Sequence, residues 1–294
     1  MGVAARAQPR DYAGDWTERL LADGFCIIPN LVDPAVVAAL HADLAERFDR
    51  TPTCVGDFYG RRTKRFGGVL KRSPHAAALI GHPLVLEIAT RVLGPECDRI
   101  QLNLAQAVEI LPGEALQPPH RDQDMWGGPK GGFEYLVNVM WPFTSYTAQN
   151  GATRIWPGTH GRRALEPAPA EAPITAEMSP GSALLFLGSV LHCGGANISQ
   201  AARRGLITGY SLGWLKPYEN PWLAYPPSVA RRLPRALAEL AGYAQHRPNL
   251  GNFEGQCPSI LLDGEPADHL AAVDALRPDQ IEAIAQFKER QTYE

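Results

Sequence analysis

Apolar and polar positions alternate along the chain in three distinct textures. Up to about Pro95 the apolar residues recur mainly at helical spacing. Asp15 to Ala22 reads as a short helix with Asp15 as N-cap, stopped by Gly24. Phe25-Cys26-Ile27-Ile28 reads as a short strand ending at Pro29. Asp33-Pro34 opens a helix that continues to about Phe48, with Val36, Val37, Leu40, Leu44 and Phe48 recurring at helical spacing. Thr51 to Gly60 is a loop. Pro83 to Leu93 is a further helix, ended by Gly94-Pro95.

From Asp98 the period changes to two. Ile100, Leu102 and Leu104 alternate with Gln101 and Asn103, as in a half-buried strand. Tyr135 to Phe143, Ala152 to Trp156, Ser182 to Leu187, Ser189 to Cys193 and Arg204 to Leu215 continue the series. Turns at Leu111-Pro112-Gly113, Asn150-Gly151 and Pro180-Gly181 break it up. Short strands with few helices between them predict a mainly β fold with flanking helices, an antiparallel double-sheet jelly roll. After Leu215 the texture is helical again, from Pro221 to Gly242 and from Ala267 to Gln291. The expected organisation is one domain over 1–294: an N-terminal helical layer (15–95), the jelly-roll core (98–215) and a C-terminal helical extension (216–294).

Composition narrows the function classes. The chain has 294 residues, 45% hydrophobic and 20% charged, with a net charge of −3. That balance supplies no basic field for nucleic acid or anionic lipid. No apolar run approaches the roughly 18 residues of a membrane helix. Met1 to Asp15 lacks the apolar centre of a secretory signal, and Arg6 stands where a myristoylation signal wants Ser or Thr. The five cysteines include no Cys-x-x-Cys pair and read as reduced, mostly buried thiols of a cytoplasmic protein. Arg61 to Arg72 is densely basic, which is either a solvated surface or a site for an anion.

The chemistry concentrates in Gln117-Pro-Pro-His120-Arg-Asp122-Gln-Asp-Met125-Trp126. Between strands, His120 and Asp122 sit two residues apart, so both side chains can share a face. His41-Ala-Asp43 carries the same letters but lies in the predicted helix. There, residues two apart point roughly 200° apart and cannot grip one ion. A third ligand from a distant segment, His192, completes a 2-His-1-carboxylate face of the kind that suits non-haem Fe(II). Such a face leaves three positions open, enough for a bidentate 2-oxo acid and O2 together. A dicarboxylate 2-oxo acid also needs a cation at its far end, for which an arginine fork is well matched. Arg203 and Arg204 both follow His192 at the start of a strand, and only one can point inward. Cys193 is a strand neighbour of His192 and should face the opposite way. Met125 and Trp126, just past the ligands, are candidates to touch a substrate. The same ligands could hold zinc in a hydrolase or lyase, or a metal in a non-catalytic β-barrel. The helical His-x-x-x-His pair common in zinc hydrolases is absent.

These segments, with Asn150-Gly-Ala-Thr153-Arg-Ile-Trp-Pro-Gly-Thr-His160 and His192-Cys-Gly-Gly-Ala-Asn197 followed by Arg203-Arg204-Gly205, resemble the phytanoyl-CoA dioxygenase family. The resemblance covers residues 20 to 215. It is nearer the members that tailor natural products than those acting on acyl-CoA, and the tail Gly242-Tyr243 to Leu250-Gly251 adds to it. It implies a double-stranded β-helix core of the cupin-like kind, Fe(II) on His120, Asp122 and His192, and 2-oxoglutarate and O2 as cosubstrates. It further implies that Arg204 holds the distal carboxylate of 2-oxoglutarate, that Gln117, Thr153 and Arg65 contact the same molecule, and that the protein is a homodimer. His160 is expected to be structural. A carboxylate at Asp122 argues for oxidation rather than halogenation, because halogenases of this fold keep a small residue there. The expected reaction is hydroxylation, desaturation or a related oxidation of a small, largely apolar natural product, releasing succinate and CO2. The alternative is an acyl-chain hydroxylase like phytanoyl-CoA dioxygenase itself.

Overall fold

Two antiparallel sheets face each other, and their strands come from widely separated parts of the chain. The structure, a computed structural model, describes residues 11–291. The reading of Met1 to Arg10 as free of targeting signals therefore lies outside the described residues. The strands are β1 (Phe25–Ile28), β2 (Thr63–Phe66), β3 (Ile100–Ile110), β4 (Leu136–Pro142), β5 (Thr153–Ile155), β6 (Ile174–Thr175), β7 (Ala183–Leu187), β8 (His192–Gly194) and β9 (Arg203–Leu212). The larger sheet runs β1-β7-β4-β9-β3-β2 and the smaller β6-β5-β8. This is the mainly β, antiparallel double-sheet architecture that the strand texture predicts, and the double-stranded β-helix that the resemblance implies.

Beside the strand expected at Phe25–Ile28, the N-terminal layer holds a second, unexpected one at Thr63–Phe66. It donates both edge strands of the large sheet: β1 pairs with β7, and β2 pairs with β3. The expected boundary near residue 98 therefore cuts through one hydrogen-bonded sheet.

Helices cover the outer face of that sheet. They are α1 (Tyr12–Asp23), α2 (Pro34–Asp43), α3 (Ala45–Arg50), α4 (Ala76–Ile80) and α5 (Pro83–Leu93). The cap of α1 is Asp11 rather than Asp15. Its carboxylate accepts from Gly14 N at 3.0 Å and is held by Arg91 at 2.7 and 3.0 Å. Gly24 at φ 82° ends the helix in the left-handed region, where glycine carries no Cβ penalty. The helix expected from Asp33 to Phe48 divides at Leu44 into α2 and α3, yet Val37, Leu40, Leu44 and Phe48 all stay buried. The segment Ala76–Glu96 is, contrary to expectation, apolar and long enough in total to match a membrane span. It is broken around Gly81-His82 into α4 and α5, whose Leu79, Ile80, Val85, Ile88 and Leu93 pack into the core.

Strand alternation sorts the large sheet into two apolar clusters. Val137, Val139 and Trp141 of β4, Leu185 of β7, and Leu206 and Tyr210 of β9 face the helices. Met140, Leu184, Phe186 and Ile207, from the same strands, belong with Leu104, Val108 and Ile155 between the sheets. Beyond β9 the chain forms the short helices α6 (Pro221–Ala224), α7 (Pro227–Ala230) and α8 (Arg235–Leu240), then α9 (Pro278–Gln291), which buries none of its residues.

Candidate metal centre

The smaller sheet is extended by backbone pairing that the strand boundaries do not include. His120 and His192 exchange both main-chain hydrogen bonds, at 2.9 and 3.0 Å. Gln117 N donates to Gly194 O at 3.0 Å, and Gln117 Oε1 accepts from Gly194 N at 3.0 Å. The two histidines thus face each other across one bridge, with ring centroids 4.4 Å apart. Asp122 does not lie on a strand with His120, as expected. It starts a 3-10 turn, Asp122–Met125, whose Gln123 N donates to Gly188 O at 3.0 Å. The turn still brings the carboxylate to the same side, so that the outcome of the alternation argument holds while its premise does not.

One donor atom from each of His120, Asp122 and His192 lies within 4.8 Å of the others. His120 Nε2 is 3.3 Å from Asp122 Oδ1, and His192 Nε2 is 3.5 Å from Asp122 Oδ2. Each ring is fixed from behind: Nδ1 of His120 faces Pro118 O at 2.9 Å and Nδ1 of His192 faces Val190 O at 3.1 Å. A carbonyl can only accept, so each Nδ1 carries the proton and each Nε2 lone pair is left facing the triad. Asn138, in the middle of β4, donates from Nδ2 to Asp122 Oδ2 at 2.8 Å. Arg121 braces the turn from below, donating at 2.6 Å to both Thr159 O and Ser189 O. Burial alone would raise the Asp122 carboxyl, but the imidazoles of His192 and His120 outweigh it and hold the carboxyl well below the usual range. Burial likewise opposes protonation of His120, yet the adjacent Asp122 lifts its pKa above the ordinary histidine value.

The triad opens into a cavity of about 390 Å³ between the sheets. Of the residues expected in the site, Gln117, Thr153, Arg65 and Met125 line it together with His120, Asp122 and His192. Arg204 does not, and this corrects the expectation. In β9, Arg203 shares the cavity face with Ile207, whereas Arg204 shares the helix face with Leu206. Arg204 pairs with the buried Glu109 at 2.6 Å, reaches Asp49 at 3.6 Å and lies over the Phe48 ring at 4.7 Å. Arg203 is 2% exposed, lies over the Tyr146 ring at 4.2 Å and donates to Gly151 O. Among the described residues it has no carboxylate partner, and its buried Nε is unpaired. Trp126 is also corrected: it points away from the cavity, donating to Lys216 O at 2.9 Å and packing edge-on to Tyr135.

Cys193 is buried and contributes no donor to the triad. His160 donates from Nε2 to Leu21 O at 2.8 Å, in a structural role. His41 stacks on Phe143 at 5.4 Å while Asp43 bonds Ser73 and His75, so this pair does not meet.

Several cavity residues escaped the sequence reading. Phe58 and Tyr59 come from the loop before β2, Gln106 from β3 and Tyr218 from the segment after β9. Gln106 could have been found, since it continues the inward parity of Leu104. Asn138 was equally legible, as a lone amide inside Leu136-Val-Asn-Val-Met140. Nothing in the loop residues 51–60 signals that it bends over the site.

Comparison with known proteins agrees with this geometry. The profile of the family described as Phytanoyl-CoA dioxygenase (PhyH) matches residues 20–205. Among curated proteins, dioxygenase trt7 of Aspergillus terreus is 31% identical over 238 residues, covering 76% of this chain and 78% of its own. Dioxygenase FrzG of Cladobotryum sp is 34% identical over 228 residues, covering 70% and 69%. Among solved structures, the epimerase SnoN in complex with Fe3+, alpha ketoglutarate and nogalamycin RO superposes with a TM-score of 0.56 at 16% identity, over 69% of this chain and 84% of its own.

Proposed function

The chain belongs to the phytanoyl-CoA dioxygenase (PhyH) family and is a 2-oxoglutarate-dependent non-haem iron dioxygenase; from that premise we propose that it oxidises a small, largely apolar natural product by hydroxylation, desaturation or a related step. The observation that carries this reading is the pairing of an open-faced His-Asp-His triad with a buried arginine that has no acid partner among the described residues, both lining one largely apolar cavity.

The residues fit the iron. Two imidazoles with free Nε2 lone pairs and one ionised carboxylate form the facial donor set that suits Fe(II). Bound there, iron would supply the redox chemistry that couples decarboxylation of 2-oxoglutarate, to succinate and CO2, with oxidation of a substrate C–H bond by O2. The protein's own residues do the rest. Asn138 orients Asp122, so that the carboxylate keeps one oxygen turned to the histidines. Arg203 takes the distal carboxylate of 2-oxoglutarate, which supplies the counter-charge its buried guanidinium lacks. Thr153, Gln117 and Arg65 stand along the cavity beside it. Leu104, Met140, Phe186 and Ile207 keep the interior apolar and exclude water. The exposed rim carries Phe58, Tyr59, Met125 and Tyr218 rather than a basic cluster, which favours a compact apolar molecule over an acyl-CoA with its phosphates. SnoN, described as acting in nogalamycin biosynthesis, lends the same support from the fold.

The test is succinate release by the purified protein with Fe(II), ascorbate and 2-oxoglutarate. Release should depend on iron, and His192→Ala should lose both iron and release while keeping its fold. Protein that binds neither iron nor 2-oxoglutarate would overturn the reading.

A further inference from the structure

The cavity has a closed end and an open end. Arg203 and Thr153 lie at the closed end, 2% and 4% exposed. Tyr59 and Tyr218 lie at the open end, 37% and 42% exposed, on two segments far apart in sequence. Their hydroxyls are 2.5 Å apart.

The hydrogen bonds around this pair have a direction. Arg65 can only donate, and its Nη1 reaches Gln106 Oε1 at 3.1 Å. That turns the Gln106 amide nitrogen towards Tyr218, whose hydroxyl oxygen it bonds. Tyr218, having accepted there, passes its own proton to the Tyr59 oxygen. The Tyr59 proton is then the end of the chain, and among the described residues no further group takes it. Both ends of the relay are held. Tyr218 N donates to Asn103 Oδ1 at 2.8 Å and Glu219 N to Asn103 O at 3.0 Å, while the Tyr59 ring lies under the Arg65 guanidinium at 5.2 Å. Phe58, the neighbour of Tyr59, packs edge-on to His120 at 4.8 Å, so this segment of the rim lies beside the His-Asp-His cluster.

We infer that Tyr59 is a specificity-determining hydrogen-bond donor to an oxygen acceptor on the substrate, so that this enzyme takes an oxygenated skeleton (ketone, ether or carboxyl) rather than a pure hydrocarbon. This rests on the dioxygenase reading above, because it places the substrate at the rim and 2-oxoglutarate at the closed end. A donor held in place discriminates where the bound substrate excludes water from it: a partner lacking the acceptor then leaves it unpaired.

A matched pair of rigid probes, 2-adamantanone and adamantane, tests the inference by calorimetric titration into the full chain loaded with 2-oxoglutarate and a redox-inert divalent metal. Tyr59→Phe should weaken 2-adamantanone by about fivefold and leave adamantane within about twofold, the size of one neutral hydrogen bond. Tyr218→Phe, which keeps the Tyr59 proton but removes the group that aims it, should weaken the ketone by about twofold. Equal losses for both probes, or none for either, overturn the inference. So does a matching loss in 2-oxoglutarate affinity in Tyr59→Phe, which would give the donor to the cosubstrate. Wild-type protein that fails to bind 2-oxoglutarate would instead count against the dioxygenase reading, and the two failures are told apart by that measurement.

Discussion

The two faces of the six-stranded sheet treat charge in opposite ways. On the helix face, Glu109 is buried between Lys64 at 3.1 Å and Arg204 at 2.6 Å, and the aromatic rings of Phe48 and Phe66 close the cluster. Charge there is neutralised within the protein and serves to hold α2 and α3 to the strands. On the cavity face, Arg203 and Arg65 have no carboxylate partner among the described residues, and each has an unpaired buried Nε. An unpaired buried cation costs free energy that a purely structural site would have no reason to retain. One face is therefore closed electrostatically, and the other holds two guanidiniums with no carboxylate partner among the described residues.

The adjacent arginines offer the sharpest way to break this contrast. Arg203→Met should weaken 2-oxoglutarate binding on the order of 100-fold, the loss expected for one partner of a buried charge pair, while thermal stability holds or rises. Arg204→Met should do the reverse, lowering stability by about 1–3 kcal/mol because Glu109 keeps only Lys64, with 2-oxoglutarate affinity within about twofold. Calorimetry with a thermal melt on each variant reads both quantities. Interchanged results would mean that the parity of β9 has been misassigned.

Asn138 probes the cavity face at its metal end. Asn138→Ala removes the bond to Asp122 Oδ2 and should weaken Fe(II) by about 10-fold or somewhat more, with the triad itself intact. Metal titration under anaerobic conditions measures it, and an unchanged affinity would reduce Asn138 to a packing residue.

The smallest effect is a pH dependence. A proton and a metal compete for His120 Nε2, and its pKa lies above the ordinary value of 6.5. Fe(II) affinity should therefore fall by about tenfold per pH unit below that raised pKa and level off above it. In the metal-free protein the signs are set by linkage. The raised His120 contributes stability that is fully present below the unfolded value of 6.5 and lost as pH rises through the folded value. The depressed Asp122 contributes stability present above its unfolded value of 3.8 and lost as pH falls through the folded one. Melting curves against pH, with and without metal, should move in opposite directions through the histidine range. Parallel movement would separate His120 from the metal.

Much of the site was legible because its residue types are improbable in their setting. A His-x-Asp between strands and a second His beside a strand stand out against apolar neighbours, whereas Gln117, Thr153 and Arg65 were picked out only by the family resemblance. His120, Asp122, His192, Gln117, Thr153, Arg65 and Met125 all reach the cavity. The choice between Arg203 and Arg204 was not legible. Both faces of β9 are buried, so the alternation that normally distinguishes inside from outside is missing along Gly205-Leu-Ile-Thr-Gly-Tyr-Ser-Leu212. Trp126 failed for a related reason. An indole near a ligand can pack or bind, and here the 3-10 turn carries it past the rim towards Lys216. Tyr59 and Tyr218 could not have been paired in advance, since 159 positions separate them and neither sits in a periodic segment.

By itself the sequence determined the strand-rich core and singled out His120, Asp122 and His192, the three donors that the fold brings within 4.8 Å of one another. Local pattern and donor type are properties of short segments, and they survive without knowledge of the whole. Only the tertiary structure decided which arginine faces the cavity, that Asp122 arrives on a turn rather than a strand, and that a distant loop closes over the site. Those are matters of register and of contacts across the sheets, set by how both faces of each strand are buried together, and no single stretch of the chain encodes them.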